Sequence, residues 1–221
     1  MRIVIAEDHE MFREVIRRVC VVDFGHEVVG EAADGPAAIR AVLTAEPDLL
    51  LLDLSLPEID GFGVIDVLAR AHSPTRVIAL TSARGDYTVF RVERAGFHGF
   101  VDKSGSTLDQ LRAAIQAVGA GRRYFSPAFV AATAARRADP VAFDKVLSER
   151  ERAVLGLIGG SLSDAEIARR LSIHRKTVET HRQRIMDKLN LHGTPKLIRF
   201  AIEQGFTQVA VRGDPGGAAF A

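Results

Sequence analysis

Five times within the first 120 residues, a short apolar or β-branched run gives way to a stretch with helical spacing. The pairs are 2–6 with 11–22, 26–31 with 35–45, 48–53 with 61–71, 76–80 with 87–95, and 99–101 with 107–119. In the first, Phe12, Val15, Ile16 and Val19 recur at the period of one helix face. Strands that alternate with helices predict a mostly parallel sheet covered on both faces. Residues 49–52 and 77–80 are almost purely apolar, as strands buried on both faces should be.

In such a sheet, ligands gather at the carboxyl ends of the strands. The first strand ends in Glu7-Asp8, the third in Asp53, the fourth in Thr81-Ser82 and the fifth in Asp102-Lys103. Any one acid after a strand can be a helix N-cap. Several carboxylates on one edge repel unless a cation neutralises them. A hard divalent ion with oxygen ligands, Mg²⁺ in particular, answers that need. One carboxylate is then free to attack phosphorus, with Thr81 and Lys103 donating to the phosphoryl oxygens.

Residues 1–120 resemble a response-regulator receiver domain, at these strand ends and in the Leu56-Pro57-Glu58-Ile59-Asp60-Gly61 turn after Asp53. The resemblance implies a flavodoxin-like, doubly wound, five-stranded parallel α/β domain. It also implies Asp53 as phosphoacceptor, with Thr81 and Lys103 acting on the phosphoryl group. Glu7, Asp8, Asp53 and the Ser55 main-chain carbonyl would form the Mg²⁺ site. Thr81 and Phe100 would form a switch, Phe100 standing where the family keeps an aromatic that turns inward; Phe97 is the competing aromatic. Ser104 follows Lys103 where many receivers have proline, which predicts a looser loop. Phenylalanine rather than tyrosine at 100 removes a hydroxyl.

Charge separates this region from the rest. Residues 1–120 hold 12 basic and 18 acidic side chains, a formal −6, and the remainder hold 17 and 10, a formal +7, behind a total of +1. An acidic half joined to a basic half suggests a nucleic-acid-binding end. No apolar run approaches the ~18 residues of a membrane span, and the single cysteine, Cys20, leaves no intrachain disulfide or cysteine-based zinc cluster. The N-terminus lacks a secretory apolar region, and the expected location is the cytoplasm.

Residues 121–145 read as a linker with one short helix, opened by Ser126-Pro127 and broken at Asp139-Pro140. Beyond it the period is helical throughout. Ser148 with Glu151 and Ser163 with Glu166 form capping boxes. Helices are expected over 149–158, from 163 to 171, over 175–189 and over 194–204. The middle pair is joined only by Ser172-Ile173-His174, which predicts a helix-turn-helix in an all-α, four-helix domain over 146–207. Residues 208–221 are expected to be a disordered tail.

This half resembles the LuxR-type output domain through Leu147-Ser148-Glu149-Arg150-Glu151, Ser163-Asp164-Ala165-Glu166-Ile167-Ala168, Lys176-Thr177-Val178-Glu179-Thr180-His181 and Lys188-Leu189. Glu179, Thr180 and Gln183 are the candidate base-reading residues. Lys176, Thr177, Arg182, Arg184 and Lys188 suit phosphates. His174 stands where the family often has a capping serine, which predicts a poorer cap.

Together the two resemblances point to a NarL/FixJ-class regulator of a two-component phosphorelay, not an enzyme beyond its own phosphorylation and dephosphorylation. The implied partners are a sensor histidine kinase, double-stranded DNA, a second copy of the chain when active and RNA polymerase, with no membrane. A rival reading keeps DNA binding but makes the receiver a phosphorylation-independent module for protein contact or ligand sensing.

Overall fold

A computed structural model describes residues 1–82 and 85–207, which fall into two compact units divided between Asp139 and Pro140. The tail expected over 208–221 lies outside the described residues.

In the first unit, strands β1 (Arg2–Ala6), β2 (Glu27–Ala32), β3 (Leu49–Asp53), β4 (Arg76–Thr81), β5 (Gly99–Asp102) and β6 (Tyr124–Phe125) form one parallel sheet of order β2-β1-β3-β4-β5-β6. Helices α1 (Glu10–Arg18), α2 (Gly35–Ala45), α3 (Gly61–Arg70), α4 (Asp86–Arg94), α5 (Leu108–Gly119) and α6 (Pro127–Ala138) cover it. The flavodoxin-like fold is as expected, but the strand count is six rather than five. The extra strand is the two-residue β6, too short to show any period, which pairs Tyr124 with Gly99 and Phe125 with Phe100. The first helix also stops at Arg18 and continues as a π-helical turn, Val19–Asp23.

Alternate residues of each strand serve opposite faces. Leu50 and Leu52 join α2, α3 and α4 through Val42, Phe62, Ile65 and Val92, while Leu49 and Leu51 meet Ile16 of α1 and Leu111, Ile115 and Val118 of α5. Buried on the second face, Cys20 has its thiol pushed up to about 12 by desolvation, which leaves it a packing residue. Helix α6, which the sequence places in a linker, packs against α4 and belongs to the first unit.

The second unit holds a one-turn α7 (Phe143–Val146), then α8 (Glu149–Gly159), α9 (Asp164–Leu171), α10 (Arg175–Leu189) and α11 (Thr194–Glu203). Both capping boxes form, at Ser148/Glu151 and Ser163/Glu166. Val154, Leu155, Ile158, Ile167, Val178, Ile185 and Leu197 are among its buried apolar residues. Ser172, with φ of 52°, ends α9 in the left-handed conformation, and Ile173 and His174 lead directly into α10.

Candidate functional site

The strand order fixes where chemistry can occur. The chain leaves β1 toward α1 on one face and β3 toward α3 on the other, so a crevice opens at the carboxyl ends of these neighbouring strands. Glu7 follows β1 and Asp53 ends β3, and both are almost fully buried. Lys103, directly after β5, reaches both: its Nζ lies 2.5 Å from Glu7 Oε2 and 2.7 Å from Asp53 Oδ2. The other Asp53 oxygen accepts the Ser55 main-chain N–H at 3.0 Å.

These groups line a cleft of about 630 Å³ with His9, Met11, Phe12, Ser55 and Ser82. Burial raises the Glu7 carboxyl above its usual range; Lys103 opposes the shift and the charge of Asp53 adds to it. Ligand atoms of Glu7, Asp8 and His9 lie within 4.8 Å of one another. His9 Nδ1 is 3.0 Å from Asp8 Oδ1.

The acids are not helix caps: His9, Asp60 and Thr107 hold the N-cap positions of α1, α3 and α5. Asp60 Oδ1 accepts the Gly63 N–H at 2.7 Å and so fixes the turn below Asp53. Gly61 permits that turn, because a Cβ there would lie 2.7 Å from the Asp53 carbonyl oxygen and 2.8 Å from Leu54 Cα.

Thr81 is fully buried at the end of β4, and its carbonyl accepts the Lys103 N–H at 3.1 Å. Phe100 and Phe97 are both buried, so burial does not separate the two candidates for the switch. Phe97 stands edge-on to Phe62 of α3, and Phe100 meets Phe129 of α6 with ring centroids 4.9 Å apart. The loop after Lys103 is tied down rather than loose. Ser104 N–H donates to Asp102 Oδ1 at 2.8 Å, a bond that proline has no N–H to make.

In the second unit, Lys176, Thr177, Thr180, Gln183 and Arg184 lie exposed along α10, while Val178 and Ile185 are buried. Glu179, partly exposed, pairs with Lys176 at 3.0 Å and Arg175 at 3.4 Å. Two residues expected to meet phosphates are paired within the domain. Lys188 Nζ contacts both Glu151 oxygens, at 3.0 and 2.7 Å, and the mostly buried Arg182 pairs with Asp164. The capping box marks Glu151 in the sequence, but a partner 37 residues away leaves no local pattern. His174 does cap α10: its Nδ1 accepts the Lys176 N–H at 3.1 Å, which requires that nitrogen to be unprotonated.

Comparison with known proteins agrees with both halves. The family described as response regulator receiver domain matches residues 3–116, and that described as bacterial regulatory proteins, luxR family, matches residues 145–201. The chain belongs to the NarL/FixJ class of response regulators.

The likeness runs over nearly the whole length of several relatives. Response regulator GacA of Pseudomonas viridiflava is 31% identical over 95% of this chain and 99% of its own. Oxygen regulatory protein NreC of Staphylococcus carnosus is 32% identical over 92% and 98%. The structure of RcsB from Salmonella enterica serovar Typhimurium, bound to promoter rprA in the presence of phosphomimetic BeF3−, superposes with a TM-score of 0.68 at 26% identity, covering 90% of this chain and 97% of that one. The response regulator is thus a DNA-binding transcription regulator of a two-component system, of a family that is not one of classical enzymes. Among its described residues no helix is long and apolar enough to cross a membrane.

Proposed function

We propose that this response regulator takes a phosphoryl group from the phosphohistidine of a sensor kinase onto Asp53, and that the modification raises the population of a DNA-binding dimer in the cytoplasm. The observation that carries this reading is the Lys103 ammonium held between Glu7 and Asp53 at the crevice of the sheet. An Asp53 oxygen forms the P–O bond as the P–N bond to the donor imidazole breaks. Lys103 follows the new negative charge onto a phosphoryl oxygen, and the Thr81 side chain engages another. The Ser55 N–H holds Asp53 oriented for the attack.

The donor set of Glu7, Asp8 and Asp53, with the Ser55 carbonyl, is all oxygen and suits Mg²⁺. When bound, that ion would offset the charge gathered on the carboxylates and the incoming phosphoryl group. Helix α10 is the recognition element. Lys176, Thr177 and Arg184 are the phosphate-facing residues, and Glu179, Thr180 and Gln183 the base-facing ones; Arg182 and Lys188 are set aside because Asp164 and Glu151 hold them. Two copies would pair through the last helix, placing two recognition helices on a two-fold site.

Incubation with Mg²⁺ and acetyl phosphate should add one phosphoryl mass to the intact protein and none to Asp53→Asn. Selection of sites from random DNA should then return a two-fold sequence enriched by the phosphorylated form. A phosphoryl mass retained in the variant would refute the assignment of Asp53.

A further inference from the structure

Helix α6 is bound to the receiver by contacts that a simple tether would not need. Ser126, its N-cap, donates its main-chain N–H to the Phe100 carbonyl at 3.2 Å, so the helix starts from the edge of β5. Phe129 is buried between Phe100 and Phe125, with centroids 4.9 and 4.7 Å away. Two helical turns further on, the side chain of Arg136 is only 4% exposed, with Nη2 2.5 Å from Glu93 Oε2 of α4 and its guanidinium 5.1 Å from the Phe90 ring centre. Arg137 pairs with the same carboxylate.

The strand that receives this helix runs directly into Lys103. Phe100 and Lys103 stand three residues apart, one under Phe129 and the other on Asp53. We infer that α6 is a latch on the receiver, closed while Lys103 bridges Glu7 and Asp53 and released when a phosphoryl group on Asp53 draws Lys103 away. The inference rests on Asp53 as phosphoacceptor. Phosphorylation adds ~1.5 to 2 negative charges beside Lys103. A close-packed strand passes a shift at its end to the ring seated three residues earlier. On release, Phe129 withdraws from its seat on Phe100, and withdrawal carries Arg136 off Glu93. By linkage, whatever loosens α6 must favour the phosphorylated state to the same degree.

The test is hydrogen exchange of the full chain with and without Mg²⁺ and acetyl phosphate, with intact mass read on the same samples. Amides of α6 should exchange about tenfold faster once the phosphoryl mass appears, while α5 stays unchanged. A phosphoryl mass with unaltered α6 exchange overturns the latch and leaves the phosphoacceptor reading intact. No phosphoryl mass overturns that reading, and the trigger with it. Glu93→Gln should speed α6 exchange without any donor and raise the phosphorylated fraction; a loosened helix with an unchanged fraction refutes the coupling. If α5 exchange also rises in that variant, Phe129→Leu replaces it under the same two readings.

Discussion

Lys103 Nζ lies 2.7 Å from Asp53 Oδ2, across the carboxyl ends of β5 and β3. The strand between them, β4, contributes Thr81, and the same ammonium also reaches Glu7 beyond β3. One ammonium therefore serves two buried carboxylates.

Removing that cation leaves two carboxylates facing each other in a desolvated crevice. Lys103→Met should lower stability by about 3 kcal/mol without divalent ions, the scale of a broken buried pair. Added Mg²⁺ should recover part of it by binding only the folded state. Urea melts with and without Mg²⁺ measure both effects; equal curves for variant and parent would show that Lys103 does not offset the acids.

Gly61 bears on Asp53 through backbone contact alone. Gly61→Ala places a methyl 2.7 Å from the Asp53 carbonyl oxygen, so the strand end must shift. Overpacking of this kind costs about 1–3 kcal/mol. Phosphorylation by acetyl phosphate should slow as well, which a stability loss remote from the site would not cause.

His174 accepts at the start of the recognition helix. His174→Ala should destabilise the output domain by about 1 kcal/mol, whereas His174→Asn, a good capping residue, should be close to neutral. Thermal melts of the two variants decide it, and a neutral alanine would mean that the imidazole bond contributes nothing.

The two lysines of α10 should behave differently on DNA. Lys176→Ala should reduce the salt dependence of binding by about 0.9 in the log–log slope, one phosphate's worth. Lys188→Ala should leave the slope unchanged, since Glu151 holds its ammonium. Binding titrations over a range of salt measure both.

Burial pushes the Glu151 carboxyl up, but hydrogen bonds from Lys188 and Ser148 outweigh it and the group ends below its ordinary 4.5. Its contribution to stability is therefore full above about pH 4.5 and disappears as pH falls through the depressed folded value. Acid melts should show output-domain stability falling below that pH in the parent, with a flatter profile in Glu151→Gln.

The alternation of buried strands with amphipathic helices made the receiver legible, because period and strand-end chemistry are local properties. Thus Glu7, Asp53 and Lys103 fall together as their positions at the carboxyl ends of β1, β3 and β5 require. The two capping boxes likewise sit within four consecutive residues each. Hidden features depend on distant partners. Strand β6 has two residues and exists because β5 offers an open edge. The alanine-rich α6 resembles a connector until Phe129 finds Phe100, and the pairing of Lys188 with Glu151 joins residues 37 positions apart. An imidazole is an unusual N-cap, so His174 predicts a poor one, though its Nδ1 accepts as a hydroxyl oxygen would.

Strand β6 and helix α6 also decide where this molecule can be cut. A fragment ended at residue 120 would strip β6 from β5 and Phe129 from Phe100, baring unpaired backbone beside apolar rings. Such an edge recruits other chains. A fragment ended at Asp139 keeps both coverings, and is the piece of the regulator suited to study at high concentration.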